Sequence, residues 1–264
     1  MEIDNRNKLS FKRQPLMVVI KKMSATITAL VAAHLLGDFI LLTDRLVEQK
    51  RQFGRLLLHV AVIAALSCLS LGTFHGEILL AVILTHLVID SIKIFGLSDS
   101  LAAFVADQIA HLAVVAGLGY CFPGVADNGY WIARLRPDLA NLYFAILSCV
   151  SGLILSVPVG GILIAKLTER FVRDIGVHGM AGLRNGGKYI GWLERFLVMQ
   201  LMLINQPAGV GFVIATKSIL RFGEIKDPRQ RKVAEYIIIG TFLSFGWGLL
   251  ISVLTQKAIH HWLP

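Results

Sequence analysis

The feature that most constrains this chain is the length of its apolar runs. Residues 77–96, EILLAVILTHLVIDSIKIFG, are apolar but for a few positions, and about 20 such residues are what a helix needs to cross a bilayer. Comparable runs occupy roughly 56–73, 101–120, 139–165 and 234–256. Hydrophobic residues make up 55% of the 264-residue chain and charged residues only 16%, where a soluble domain carries about a quarter charged. A lipid-facing segment has to satisfy its own backbone hydrogen bonds, so these runs predict helices.

The interruptions set the rest of the architecture. Residues 24–43 are apolar but broken by HLLGD, and 189–222 are broken by NQPAG, which reads as two short helices and a turn. The expected fold is all-α, a polytopic transmembrane helical bundle with a re-entrant or interfacial first segment and a broken helical hairpin near 189–222. Four regions follow: a basic N-terminal arm, 1–23; the membrane helices 24–120; a polar loop, 121–138, holding Pro123 and Pro137; and a second helical half, 139–258, with basic loops 166–188 and 221–233. The basic start followed by apolar residues resembles a signal peptide, but His34 and Asp38 interrupt the run and no cleavage site follows, so it is expected to stay attached.

The net charge of +9 belongs to loops. If 24–43 dips in and returns and 189–222 is a hairpin, 21 lysines and arginines lie on one side and 3 on the other. That asymmetry predicts cytoplasmic basic loops in contact with anionic lipid. No zinc-finger or RNA-binding signature accompanies the charge, so nucleic acid is not an expected partner. Cys68, Cys121 and Cys149 lie in or beside apolar runs and read as fillers.

Within the lipid-length segments sit residues that are costly there. His34 and Asp38 (HLLGD), His86 and Asp90 (HLVID), and Asp107 and His111 (DQIAH) are i, i+4 pairs, a spacing that places both side chains on one helix face. His59, in LLLHV, is a fourth element of the same kind. Eight histidines and ten aspartates in this length would give roughly 0.6 such pairs by chance; the chain has four, the last being Asp174 and His178 in a glycine-containing loop. An aspartate at the bilayer centre costs about 2.5–3.5 kcal/mol, so three of them call for a shared interior with partners. His59 follows Arg55 by four residues, Asp90 precedes Lys93 by three, and Asp107 follows Asp99 closely, so these groups are expected at one level.

Imidazoles and carboxylates together are the ligands of Zn, Mn and Fe. Seven groups, His34, Asp38, His59, His86, Asp90, Asp107 and His111, are enough for two divalent ions about 3.5–4 Å apart, or for one ion with a carboxylate orienting a histidine. The blander reading of each pair is a structural hydrogen bond or a proton relay. Lys93 is the candidate catalytic cation, placed to neutralise Asp90 or to meet a phosphate; snorkelling to the interface explains it equally. Gln108 is placed to hydrogen-bond a ligand or a helix. Glu194 and Arg195 read as a local pair, Lys217 and Arg221 as lipid anchors, and RNGGK at 184–188 lacks the phosphate-loop pattern.

HLLGDF, LLLH, THLVIDSIK and DQIAHL, in that order, resemble a bacterial inner-membrane family, domain of unknown function 3307. IGWLERFL, ATKSILRFGEI and AEYIIIGTFLSF extend the resemblance over about residues 27–250. The His/Asp pattern is also similar, more loosely, to membrane-bound metal-dependent hydrolases. The resemblance implies a multi-pass protein of the bacterial inner membrane but brings no established activity. Three functions are compatible with the residues. The first is a metal-dependent hydrolase whose site lies near the cytoplasmic face and acts on a lipid-linked or phosphorylated substrate. The others are a metal-ion or proton-coupled transporter using the same polar centre, and a non-enzymatic membrane partner or assembly protein.

Overall fold

The computed structural model describes residues 2–41, 52–175, 185–222 and 228–263. Among these residues the regular structure is helical, with no strand. The helices are α1 (Glu2–Leu36), ending in a π-turn (Gly37–Leu41); α2 (Phe53–Leu71); α3 (Gly76–Gly96); α4 (Leu101–Cys121); α5 (Pro137–Ile154), continued through a π-turn (Leu155–Val159) into α6 (Gly160–Ile175); α7 (Gly186–Leu203); α8 (Pro207–Phe222); and α9 (Pro228–Trp262). Among the described residues, six helical stretches are long and apolar enough to cross a membrane: Leu16–Leu41, Phe53–Leu71, Gly76–Gly96, Leu101–Cys121, Pro137–Ile175 and Arg231–Trp262.

Local chemistry explains the boundaries. Proline opens α5, α8 and α9, where its missing N–H is no loss. Ser100 caps α4 by accepting a hydrogen bond from Ala103 N. Gly72 closes α2 in the left-handed region, φ 69°, which favours glycine. The predicted hairpin is present as α7 and α8, which pack together and are joined by a turn in which Asn205 N donates to Met202 O.

The chain divides into two compact units, residues 1–148 with 262–264, and residues 149–261. In the first unit, α1 packs on α2 and α4, and α3 packs on α2 and α4. The four helices therefore close a ring around one interior. The helix α3 shows the polarity of that ring. Ile78, Leu79, Val82, His86 and Asp90 are buried, while Leu80, Leu84, Val88, Ile92 and Phe95 form an exposed stripe. Apolar side chains outside and ionisable ones inside are what a membrane-spanning bundle requires.

Three details differ from the sequence expectation. First, the initial apolar segment does not turn back at HLLGD: residues 16–41 are one continuous helical stretch long enough to cross, and the basic arm is its helical extension from Glu2. Its entry lies at the far end of the ring from Arg55 and Lys93, because Gly124 N bonds Lys22 O and Thr26 Oγ1 bonds Phe122 O, past the end of α4. The 21-to-3 charge split depends on a re-entrant segment and does not hold. Second, residues 166–175, expected to start a basic loop, continue α6. Third, residues 228–233, also expected in a loop, begin α9. His178, of the fourth pair, lies outside the described residues.

Candidate metal centre

Helix length alone brings the polar groups to one level. His59 is six residues into α2, Asp107 six into α4, and Asp90 six before the end of α3; at 1.5 Å per residue each lies about 9 Å from the same end of the ring. His34 and Asp38 reach that level from the C-terminal end of α1. There α1 widens into its π-turn, an irregularity that recurs at functional sites. Gly37 makes the approach possible, since a Cβ there would stand 2.1 Å from Ile63 Cδ1 on α2.

The structure brings together all seven side chains singled out by spacing, in three overlapping groups whose donor atoms lie within 4.8 Å of one another: His34, His86 and His111; Asp38, His59 and His86; and Asp90, Asp107 and His111. His34, His59, His86, Asp90, Asp107 and His111 are all buried, and the Asp38 side chain is 8% exposed.

The tightest set joins three helices. His59 Nε2 lies 3.0 Å from His86 Nε2. Asp38 Oδ1 is 3.1 Å from the first of these nitrogens and 3.4 Å from the second. Asp90 Oδ2 is 3.6 Å and 3.9 Å from the same two. Four ligands around one tetrahedral ion at about 2.0–2.1 Å stand about 3.3 Å apart. The separations of both carboxylates from the two histidines, and of the histidines from each other, bracket that value. At most one proton can lie between the two imidazole nitrogens, and Asp38 Oδ1 is left without a hydrogen bond.

The remaining histidines are held by partners that dictate which nitrogen carries the proton. His111 Nδ1 lies 2.9 Å from the Asp107 carbonyl oxygen; that oxygen only accepts, so Nδ1 carries hydrogen and Nε2 keeps its lone pair. Gln108 Nε2 donates to Asp107 Oδ2 at 2.9 Å, which orients the amide so that Oε1 accepts from His34 Nε2 at 3.3 Å. His34 therefore presents a bare Nδ1. Both free nitrogens, with Asp107 Oδ1, are buried and unpartnered. A small cavity bounded by His34, His86 and His111, and by Ser67 and Thr85, adjoins these rings.

Lys93 reaches across from α3 to α4, Nζ to Asp107 Oδ2 2.5 Å, with its side chain 36% exposed. The carboxylate it meets is Asp107, where spacing alone pairs it with Asp90. Gln108 is the residue whose importance spacing understates. Its one legible signal is its place beside Asp107 on a lipid-length helix.

These groups fit a metal ion by donor type and by separation: neutral imidazole lone pairs and carboxylate oxygens, buried, mutually close and short of hydrogen-bond partners. Buried polar atoms in proteins are almost always paired, and an ion at their focus satisfies several at once.

Residues 26–130 match the family described as a protein of unknown function, DUF3307. The matched segment includes the motifs HLLGDF to DQIAHL and contains all seven candidate ligands. The match stops short of the motifs in the second half. No curated protein and no solved structure matches the chain.

Proposed function

We propose that this protein is a metal-dependent hydrolase embedded in a membrane, with its reaction centre inside the four-helix ring of the first unit. One observation carries the reading: His59 and His86 stand 3.0 Å apart in a buried interior, with Asp38 at 3.1 and 3.4 Å and Asp90 at 3.6 and 3.9 Å from the same two nitrogens. The donor set has no thiolate, which suits Zn, Mn or Fe(II). A bound divalent ion supplies Lewis acidity and a water that ionises near neutral pH.

The protein's own residues account for the rest. The Asp107 carbonyl and Gln108 hold His111 and His34 in the ligating tautomers, as partners of metal-bound histidines commonly do. Lys93, held by Asp107 at the partly exposed rim, is placed to stabilise negative charge developing on a phosphoryl or carbonyl oxygen. A lipid-linked or phosphorylated substrate suits a site at this depth, and the family resemblance favours the bacterial inner membrane as its location. The centre lies about a third of the way along helices of 19–21 residues. A carrier places its site near the bilayer midplane with access from both sides, so depth supports the hydrolase over the transporter. An assembly protein would need only hydrogen bonds here, and unpartnered lone pairs are a poor way to make them.

The test is metal content followed by turnover. Protein purified in detergent without a metal-binding tag is expected to carry Zn, Mn or Fe, and to lose it in folded His86→Ala and Asp90→Ala. The loaded protein is then expected to cleave chromogenic phosphate or carboxylic esters, and the two variants to be inactive. Absence of metal after reconstitution would sink the proposal. Metal without turnover on either ester class would move the assignment to the carrier.

A further inference from the structure

We infer that the centre takes two divalent ions, that Asp38 joins them, and that the two-ion form binds an oxyanion; the inference rests on the metal reading above. The first ion belongs to Asp38, His59 and His86, whose donor atoms lie within 4.8 Å of one another, with Asp90 Oδ2 3.6 and 3.9 Å from the two histidines. Three buried donor atoms are then left over: His34 Nδ1, Asp107 Oδ1 and His111 Nε2. Each such orphan is costly if nothing meets it. The three come from two helices. The rings of His34 and His111 stack with centroids 4.7 Å apart, and His111 belongs both to the group with His34 and His86 and to the group with Asp90 and Asp107.

The arrangement is hard to explain as structure alone. Asp107 commits Oδ2 to Lys93 and Gln108 and leaves Oδ1 bare. His111 and His34 are each anchored through the opposite ring nitrogen. All three thus present a lone pair into the same interior, as ligands do. Asp38 spans the two sets: Oδ1 faces His59 and His86, while Oδ2 lies 3.8 Å from His34 Nδ1. A carboxylate with one oxygen in each set is the natural bridge for ions about 3.5–4 Å apart.

Charge adds the oxyanion. With neutral imidazoles, three carboxylates and Lys93 leave the centre two charges negative. One divalent ion neutralises it, and a second makes it two charges positive. A buried charge of that size needs a counter-charge, so the second ion enters together with an anion. The adjoining cavity, bordered by His34, His86 and His111, has room for about one water-sized group, enough for a single oxygen of the anion at that ion. A phosphoryl group has the required charge and oxygen donors, and this names the substrate class.

The probe is Mn(II), titrated into metal-free full-length protein in detergent with and without inorganic phosphate. The expected result is two ions per chain with phosphate, an exchange-coupled Mn spectrum, and at least tenfold weaker second-ion binding without phosphate. His59→Ala and His111→Ala should each fall to one ion. Asp38→Asn should lose the coupling, with helicity checking that every variant folds; His111→Gln is the milder substitute if His111→Ala does not. One ion per chain with and without phosphate would overturn the inference and leave the metal reading intact. Two uncoupled ions would overturn the bridge, two coupled ions indifferent to phosphate would overturn the oxyanion, and no bound Mn would overturn both the inference and the reading beneath it.

Discussion

Both units bury charged groups, and they resolve the burial in opposite ways. In the second unit Arg195, 3% exposed, donates from Nη1 to Ser244 Oγ at 2.9 Å and from Nη2 to Val157 O at 3.0 Å. Val157 belongs to the π-turn around Pro158, where the helical ladder is irregular and the Val157 carbonyl accepts from both Gly160 N and the guanidinium. Trp247 Nε1 treats Leu155 O in the same way, at 2.9 Å. Glu194 is answered by Lys217 at 2.7 Å, so the pair expected between Glu194 and Arg195 is two separate contacts. Of the unit's charged groups Arg195 keeps one unmet N–H, at Nε, which cannot ligate a cation; the other unmet atoms there are the neutral hydroxyls of Ser151 and Ser156. In the first unit the unmet atoms are His34 Nδ1, Asp38 Oδ1, Asp107 Oδ1 and His111 Nε2 at the centre, with His75 Nδ1 apart from it. A buried charge answered by protein partners stabilises a fold; a cluster of unanswered imidazole and carboxylate lone pairs marks a site.

That contrast can be broken by experiment. The largest effect is expected from metal removal. If the first unit binds its ion at free concentrations near a thousand times Kd, chelation removes about 4 kcal/mol of stability, seen as a lower Tm that returns when metal is restored. An unchanged Tm would make its polar groups structural, like those of the second unit. Next, Arg195→Ala should cost about 3 kcal/mol by removing the two buried hydrogen bonds of the guanidinium, to Ser244 Oγ and the Val157 carbonyl, measured by thermal unfolding in detergent. Its metal content should equal the parent's, and a loss of metal would dissolve the contrast. The smallest effect sharpens it within the first unit. Gln108→Leu frees the His34 tautomer without removing a ligand, so metal affinity should fall about 10–100-fold with little change in the stability of the metal-free protein. An equal loss of stability in the metal-free form would make Gln108 a packing residue.

Much of the centre is legible in the amino-acid order. Spacing of four within apolar runs gives intrahelical neighbours directly: His34–Asp38 at 3.8 Å, His86–Asp90 at 3.9 Å and His111–Asp107 at 3.6 Å. The cost of a carboxylate in lipid then demands a common interior. The tightest contacts are not legible, because they cross between helices. His59 meets Asp38 and His86, and Lys93 meets Asp107; nothing in a linear pattern says which faces will oppose. HLLGD misleads for a related reason. Polar residues in an apolar run signal a break when they must face lipid, and signal nothing of the kind when they face a ring interior.

By itself, then, the sequence determined helices of membrane length, their approximate ends, and the seven ionisable side chains that share a level, because backbone hydrogen bonding and helical periodicity are local. The tertiary structure alone decided that α1 continues across instead of turning back, that Gly37 lets it close against α2, and that Asp38 stands between His34 on one side and His59 and His86 on the other. Those outcomes depend on how four helices pack, and packing is settled by side-chain shape and by the need of buried polar atoms for partners.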